Sequence, residues 1–393
     1  MKETAQGIRE PVRRTEVDPK CGMAVERNPT FREPTMKDRQ LNVTRSLLRP
    51  ARHPLHCIVP PHMLKEIVKR GDAAQKEWAL ETLAASARLR GNREILGELL
   101  GLFPSAGDEK VRTVYDARGG ETLPGVRVRG EGDPTSKDEE VNEAYDGAGV
   151  TYDLYRKRFK RNSIDDRGMR LDSTVHYGEN FDNAFWNGKQ MVYGDGDGQL
   201  FNRFTIAIDV IGHELTHGVT QFSSGLAYQG QSGALNESIS DVFGSLVKQY
   251  RAKEPAKRAD WLIGAGLLAK GVKGVALRSL KAPGSAYDDP VLGKDPQPAH
   301  MKDFVKTKSD NGGVHINSGI PNHAFYLLAV ALGGAAWTRA GQIWYRALQQ
   351  FKPATDFQSA AGVTAETARG LYGSKSREEK AVIAAWKGVG IEI

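Results

Sequence analysis

The eleven residues 210–220, VIGHELTHGVT, restrict the fold more than any other stretch of this 393-residue chain. They place His213 and His217 four positions apart, with Glu214 directly after the first histidine. On an α-helix this spacing puts both imidazoles on one face, one turn apart, where they can bind a single metal ion. The opposite face is apolar and is therefore predicted to pack inward, through Ile208, Ile211, Leu215 and Val219.

A third ligand is needed, because two surface histidines on an ordinary helix would also satisfy this pattern. Glu237 follows His217 by twenty residues in the helical stretch SGALNESISDVFGSL, whose small and apolar residues disfavour an ordinary exposed position. Asp241 lies one turn later on the same face, which is where a carboxylate could orient a ligand imidazole. Three protein ligands leave the fourth zinc position to water, as is typical of a catalytic site.

The composition excludes several other classes of protein. With 39% hydrophobic and 26% charged residues, the chain has the profile of a soluble globular protein. Its net charge of +7 comes from basic residues scattered among acidic ones, so we expect no nucleic-acid partner. No apolar run reaches about 18 residues, so no membrane span is predicted. The first twenty residues lack the apolar region of a secretory signal peptide.

Four segments are predicted along the chain. Residues 1–54 are polar, basic and rich in proline and arginine, which indicates a poorly ordered extension. Residues 55–110 carry apolar residues at helical spacings and predict a small helical unit. Residues 111–225 alternate as strands do and end in the histidine helix, whereas helical periodicity dominates residues 226–393. We therefore predict an α+β fold, with a β-rich lobe, a central helix, a mainly helical lobe and a cleft between the lobes.

Several long motifs resemble the thermolysin family of neutral zinc metallopeptidases. They are HELTH, GALNESISD, NAFWNGKQMVYGDGDG and DNGGVHINSGIPNHAFY, which occur in the family's order between about residues 111 and 393. The stretch CIVPPHML, which begins at Cys57, resembles the short pro-segment of protealysin-like members. The resemblance implies a zinc endopeptidase with one catalytic ion, bound by His213, His217 and Glu237. Glu214 cannot comfortably bind the ion that its neighbours hold, so it is implied as the general base.

The resemblance also implies residues that act on the scissile carbonyl. Tyr228 and His315 match the donors that stabilise the developing oxyanion, and Asp310 matches the residue that orients the His315 imidazole. A decayed site would usually lack one of these residues or Glu214, and all four are present. This argues against the alternative function, a catalytically silent peptide-binding protein of the same fold.

Further residues are implied to bind the substrate. Asn183 and Ala184 match an edge strand that pairs with the peptide backbone, and Arg278 matches an arginine that binds a substrate carbonyl. A pocket for a bulky apolar residue after the scissile bond is implied for Phe201, Val210, Ile263 and Leu277. Phe204 and Leu267 align with the same pocket, but the sequence alone favours a plain core position for both of them.

The family's paired calcium site is doubtful in this chain. Asp209 and Asp260 persist, but Lys248, Leu262 and Ala265 stand where acidic ligands are implied. We predict that the Lys248 ammonium replaces one cation, so that the double site is lost or weakened.

The resemblance implies that residues 55–110 form a pro-segment, which covers the cleft as an intramolecular inhibitor until it is removed near GDEKVRT (107–113). Cys57 is a candidate thiolate ligand for the open zinc position, and a small buried thiol explains this residue equally well. Because such members tend to lack a Sec signal, we expect secretion by a non-Sec route rather than a cytoplasmic location. Protein or peptide substrates and the pro-segment are the expected partners.

Overall fold

A mixed six-stranded sheet forms the β-rich part of the molecule. The computed structural model describes residues 56–99 and 107–393, with side chains within 57–87 and 107–393, so the predicted extension at 1–54 lies outside the described residues. The strands are β1 (His56–Cys57), β2 (Arg112–Asp116), β3 (Val126–Gly130), β4 (Leu171–Val175), β5 (Ala184–Trp186) and β6 (Met191–Tyr193). Their order in the sheet is β1–β5–β6–β4–β2–β3. The pairs β2–β4 and β4–β6 are parallel, and the other pairs are antiparallel.

Two helices near the start of the described chain follow β1. They are α1 (Pro61–Arg70) and α2 (Ala73–Leu99). The first begins with proline at its first turn, where the missing N–H is not needed. Its face made of Met63, Leu64 and Ile67 is buried within the main apolar cluster of the molecule, so this segment shares a core with the rest of the protein.

The centre of the molecule is a pair of helices that approach each other closely. The helix α3 (Glu139–Leu154) precedes this pair in the chain. The pair consists of α4 (Ile208–Gln221) and α5 (Gly230–Ala252), and each of these two helices is buried over most of its length. The close approach depends on glycine, because a Cβ atom on Gly244 would lie 2.4 Å from the carbonyl oxygen of Asp209. Residues on facing sides of α4 and α5 can therefore reach one small ion.

The rest of the described chain is mainly helical. It contains α6 (Asp310–Asn317), α7 (Gly319–Leu332), α8 (Arg339–Leu348), α9 (Phe357–Tyr372) and α10 (Arg377–Gly388). Two small ribbons precede these helices, namely β7 (Leu262–Ile263) with β8 (Arg278–Ser279) and β9 (Asp288–Asp289) with β10 (Gly293–Lys294). Among the described residues, no helix is long and apolar enough to cross a membrane. The predicted α+β fold, with its β-rich lobe, central helix and helical lobe, is confirmed.

Candidate metal centre

The two histidines of α4 lie side by side in the protein interior. His213 and His217 are 0% and 1% exposed, and their Nε2 atoms are 3.0 Å apart. The Nδ1 atom of His213 is 2.8 Å from Asp241 Oδ1, and that of His217 is 2.9 Å from Asn236 Oδ1 and 3.0 Å from Ser240 Oγ. Because the carboxylate and the amide oxygen accept hydrogen bonds, each Nδ1 carries the proton. Both Nε2 lone pairs therefore point toward the same small volume.

Glu237 of α5 completes this group. Its carboxylate oxygens lie 3.5 Å from the Nε2 atoms of His213 and of His217, and all three ligand atoms lie within 4.8 Å of one another. One oxygen, Oε2, is buried without a hydrogen-bond partner. Two nitrogens bound to tetrahedral zinc at about 2.0–2.1 Å would lie about 3.3 Å apart, close to the observed spacing. The donor set and the buried, unpartnered oxygen thus fit a zinc ion.

Charge around the site keeps Glu237 and Asp241 ionised. Burial opposes ionisation of Glu237, but nearby His315 and the two α4 histidines outweigh it and hold its pKa well below the ordinary value. Burial likewise opposes the charge of Asp241, whereas the Arg278 guanidinium lowers its pKa to about 2. Arg278 donates to Asp241 through Nε and Nη2, each at 2.9 Å. The negative charge near the histidines is thereby balanced without a water-exposed counter-ion.

Glu214 points one oxygen at the backbone and has the other unpaired. Its Oε2 accepts a 3.0 Å hydrogen bond from the backbone N–H of Trp186, whereas Oε1 is buried without a partner. Burial raises the pKa of Glu214 to about 8. A carboxylate with such a pKa can accept a proton and release it again near neutral pH, as a general base must.

Tyr228, His315 and Asp310 form a hydrogen-bonded group beside the metal ligands. His315 Nδ1 is 2.6 Å from Asp310 Oδ1, and the backbone N–H of His315 donates to Asp310 Oδ2 at 2.9 Å. His315 Nε2 lies 3.1 Å from the Tyr228 hydroxyl, which donates to Glu237. The tight start of α6 aims this histidine, and Gly312 and Gly313 take left-handed φ angles of 86° and 78° there.

The described N-terminal segment lies across the predicted substrate-binding residues. β1 pairs antiparallel with β5, which places Cys57 opposite Phe185. The backbone N–H of Ile58 donates to the carbonyl of Ala184 at 3.1 Å, and that of Val59 donates to Asn183 Oδ1 at 3.0 Å. The structure thus brings the predicted edge strand together with a peptide of the same chain.

The carbonyl groups of this segment meet two other predicted site residues. Arg278 NH1 donates to the Ile58 carbonyl oxygen at 3.0 Å. The Cys57 carbonyl oxygen lies 3.2 Å from His315 Nε2. The Cys57 thiol donates to Ser86 Oγ at 3.8 Å, and Cys57 belongs to a small apolar cluster. Of the two explanations that the sequence offered for Cys57, these contacts fit the small buried thiol.

The predicted pocket residues are all in the main apolar cluster. Ile58 is 0% exposed and belongs to that cluster. The cluster also contains Phe201, Phe204, Val210, Ile263, Leu267 and Leu277. Ile58, the residue after the Cys57 carbonyl, is therefore fully buried in the same large apolar cluster as the side chains that the sequence assigned to the pocket.

At the position of the doubtful calcium site, the structure has an ion pair. Lys248 Nζ lies 2.7 Å from Asp209, 2.9 Å from Asp260 and 2.6 Å from the Leu262 carbonyl oxygen. Burial opposes the charge of Lys248, but the two carboxylates raise its pKa above the ordinary value. The ammonium is therefore charged and is bound by these three oxygens.

Sequence reasoning missed four groups that position the site. Asn236 and Ser240 bind His217, and Asn322 Nδ2 donates to Asp241 at 2.9 Å. Asn236 and Ser240 lie one residue before and three residues after Glu237, so helical spacing could have indicated them. The Trp186 contact to Glu214 uses only the backbone, and no residue type could have indicated it.

Two imidazoles, a ligand carboxylate and a separate basic carboxylate define a mononuclear catalytic metal site of the metallopeptidase class. Residues 107–221 match the family model described as thermolysin metallopeptidase, catalytic domain, and residues 224–391 match its alpha-helical domain. The chain therefore belongs to the thermolysin family and is a thermolysin-like zinc metalloendopeptidase, as the sequence predicted.

Individual relatives cover most of the chain. It is 49% identical to "Extracellular metalloprotease" from Pectobacterium carotovorum subsp. carotovorum, over 86% of this chain and 97% of the relative. It is 50% identical to "Protease PrtS" from Photorhabdus sp. (strain Az29), over 86% of this chain and 92% of the relative. A solved structure, the precursor of protealysin from Serratia proteamaculans, is 53% identical with a TM-score of 0.78, and the match covers 86% of this chain and 99% of that one.

Proposed function

We propose that this zinc metalloendopeptidase is made as a self-inhibited precursor, in which residues 55–110 are the pro-segment and residues 111–225 and 226–393 are the catalytic lobes. One observation carries the proposal: residues 57–59 bind the groups that the sequence assigned to substrate. The precursor of protealysin among the similar structures supports it. The relative called an extracellular metalloprotease supports secretion, for which we propose a non-Sec route.

His213, His217 and Glu237 hold one catalytic zinc ion in this proposal. When bound by these residues, zinc would act as a Lewis acid toward the scissile carbonyl and would lower the pKa of the attacking water. Glu214 takes the proton of the attacking water on its unpaired oxygen and delivers it to the leaving amine. The Trp186 N–H fixes the other oxygen, so the carboxylate keeps one orientation through both proton transfers.

Tyr228 and His315 donate hydrogen bonds to the oxygen of the scissile carbonyl as negative charge develops on it. Asp310 holds the His315 ring by a 2.6 Å hydrogen bond and keeps it in the donor orientation. Asp241 accepts a hydrogen bond from His213 Nδ1 at 2.8 Å, which holds that ring with its Nε2 lone pair toward the metal position.

The preferred substrate has a bulky apolar residue after the scissile bond. Asn183 and Ala184 bind its backbone and Arg278 binds the carbonyl of that residue, as they do for Val59 and Ile58. The apolar surroundings of buried Ile58 support this preference. A charged side chain there would lose its hydration without gaining a partner.

Digestion of casein by the zinc-loaded protein, after the pro-segment has been cut off and removed in the same way from every variant, tests the catalytic assignment. We expect Glu214→Gln to lower the rate at least about 10²-fold, because the amide cannot accept the water proton. Glu179→Gln is the matched control, since Glu179 is exposed. Equal casein loss in Glu214→Gln and wild type would refute the assignment of Glu214 as the base. Peptides that differ only after the scissile bond, with leucine or aspartate there, test the preference.

A further inference from the structure

We infer that the Cys57–Ile58 peptide bond is itself bound as a substrate, and that each chain hydrolyses this bond in its own cleft. The resulting segment, which begins at Ile58, stays in the cleft and continues to inhibit. This inference rests on the proposed function. It differs from the sequence expectation of a cut near residues 107–113, because it concerns an earlier bond whose cleavage does not by itself activate the enzyme.

The register of the segment identifies the bond. The Cys57 carbonyl oxygen is the one that lies 3.2 Å from His315 Nε2, the proposed oxyanion donor. The next carbonyl, that of Ile58, accepts from Arg278 at 3.0 Å, and the next N–H, that of Val59, donates to Asn183. Thus the carbonyl that meets the oxyanion donor is that of Cys57. The bond on its carboxyl side joins Cys57 to Ile58.

The side chains prevent a shift of this register. Ile58 is buried in the main apolar cluster, whereas Cys57 lies in a separate cluster with Phe181 and Phe185. A slip by one residue would exchange the two faces of a strand and move each side chain out of its cluster. The antiparallel pairing of β1 with β5 adds backbone hydrogen bonds to the same register. The contacts on both sides of the Cys57–Ile58 bond therefore fix the same register.

The reaction is ordinary hydrolysis and needs only water. The water oxygen adds to the Cys57 carbonyl carbon, the bond from this carbon to the Ile58 nitrogen breaks, and the Ile58 nitrogen takes a proton. Glu214 carries that proton, and the second proton of the water passes from the new carboxyl group to the amine, so that the products are a Cys57 carboxylate and an Ile58 ammonium group. No residue is oxidised or reduced.

The part of the segment after the bond is anchored independently of the part before it. Val59, Met63, Leu64 and Ile67 are each no more than 1% exposed and belong to the main cluster. After hydrolysis the new amine remains beside the new carboxylate at high effective concentration. We therefore expect slow cleavage that leaves casein activity suppressed.

The test uses the full zinc-loaded chain and reads intact mass and N-terminal sequence over time. We expect a fragment that begins at Ile58 and forms at a first-order rate that does not change over a tenfold range of protein concentration. Glu214→Gln should not form it, and wild type added in trans should not cut Glu214→Gln at this bond, since that cleft holds its own segment. Ile58→Asp should lose the cut, whereas Lys65→Asp, on the exposed side of α1, should keep it. Thermal unfolding verifies that both variants fold.

A second measurement does not depend on catalysis. In metal-free Glu214→Gln, the amide hydrogens of Ile58 and Val59 should exchange at least about tenfold more slowly than in Ile58→Asp, because both are bound in the described register. Suppose that the protein digests casein once the segment is removed, but that no fragment beginning at Ile58 ever forms. This result would overturn the inference and leave the proposed function intact. Absence of both activities would instead overturn the proposed function, and this inference with it.

Discussion

Replacing Lys248 should strongly destabilise the protein unless a cation takes its place. Lys248→Ala would remove the ammonium 2.7 Å from Asp209, a residue that is only 1% exposed. Asp209 would keep the backbone N–H of Gly264 at 3.1 Å as a donor, but no positive charge. Breaking a buried ion pair costs about 3–5 kcal/mol. Because the Lys248 side chain is 22% exposed, we expect the lower end, about 3 kcal/mol, in the free energy of unfolding.

The assay is thermal unfolding in the Glu214→Gln background, which prevents self-digestion. A loss of about 3 kcal/mol should lower the Tm by roughly 4 °C, because the unfolding entropy of about 2.1 cal/mol/K per residue is large in a chain of this length. Arg251→Ala, an exposed position on the same helix, is the matched control and should leave the Tm nearly unchanged. Lys248→Glu should regain stability when calcium is added, because it restores an acidic ligand beside Asp209 and Asp260.

Two outcomes would refute this reasoning. One is a Lys248→Ala protein that melts within about 1 °C of its parent, since breaking a buried pair is expected to cost far more. The other is a calcium-dependent rise in Tm in the parent equal to that of Lys248→Glu. The second result would mean that calcium binds there in spite of Lys248, and our proposal that its ammonium replaces a cation would be wrong.

Three further predictions concern the site and the segment. Asn236→Ala should weaken zinc binding about 10–100-fold, because it removes an acceptor that orients His217; chelator competition measures this, and Asn236→Asp should retain most of the affinity. Asp310→Asn should lower kcat about 10²-fold with little change in KM, because His315 then donates poorly in the transition state. A rise in KM of that size with kcat unchanged would contradict this prediction. Burial lowers the pKa of His62 from 6.5 to about 4, so this side chain stays neutral in the folded protein at neutral pH. As the pH falls from 6.5 toward 4, the unfolded chain binds a proton that the folded one does not, which lowers the free energy of unfolding by up to roughly 3 kcal/mol. Thermal unfolding against pH should show a shallower acid slope in His62→Gln, and identical slopes would exclude His62 as the cause.

The sequence predicted much of the metal site because helical spacing is a direct constraint on side-chain direction. His213 and His217 lie one turn apart in one helix, and Glu237 and Asp241 lie one turn apart in another. Each pair therefore shares a face whatever the rest of the fold does, and the structure brings both faces together. The resemblance to a family supplied Tyr228, His315 and Asp310, whose distance along the chain no periodicity could bridge.

The groups that escaped prediction act through geometry that residue type does not encode. The N–H of Trp186 binds Glu214, but every residue except proline has such a donor. The strand β1 has only two residues, too few for alternation to be visible, and its partner β5 is buried at every position. The sequence could therefore indicate the helices that follow Pro60, but not that the residues before it extend the sheet.

The pairing of β1 with β5 also has a consequence for how this protein behaves once the segment has left. The departure of β1 exposes the backbone N–H and C=O groups of β5 along one border of the sheet. Such an open border pairs readily with any extended chain, including the same border of a second molecule. The border that is proposed to bind substrate peptides would thus also be open to pairing with a second copy. In the proposed precursor the segment covers that border, so two copies of the chain cannot pair through it.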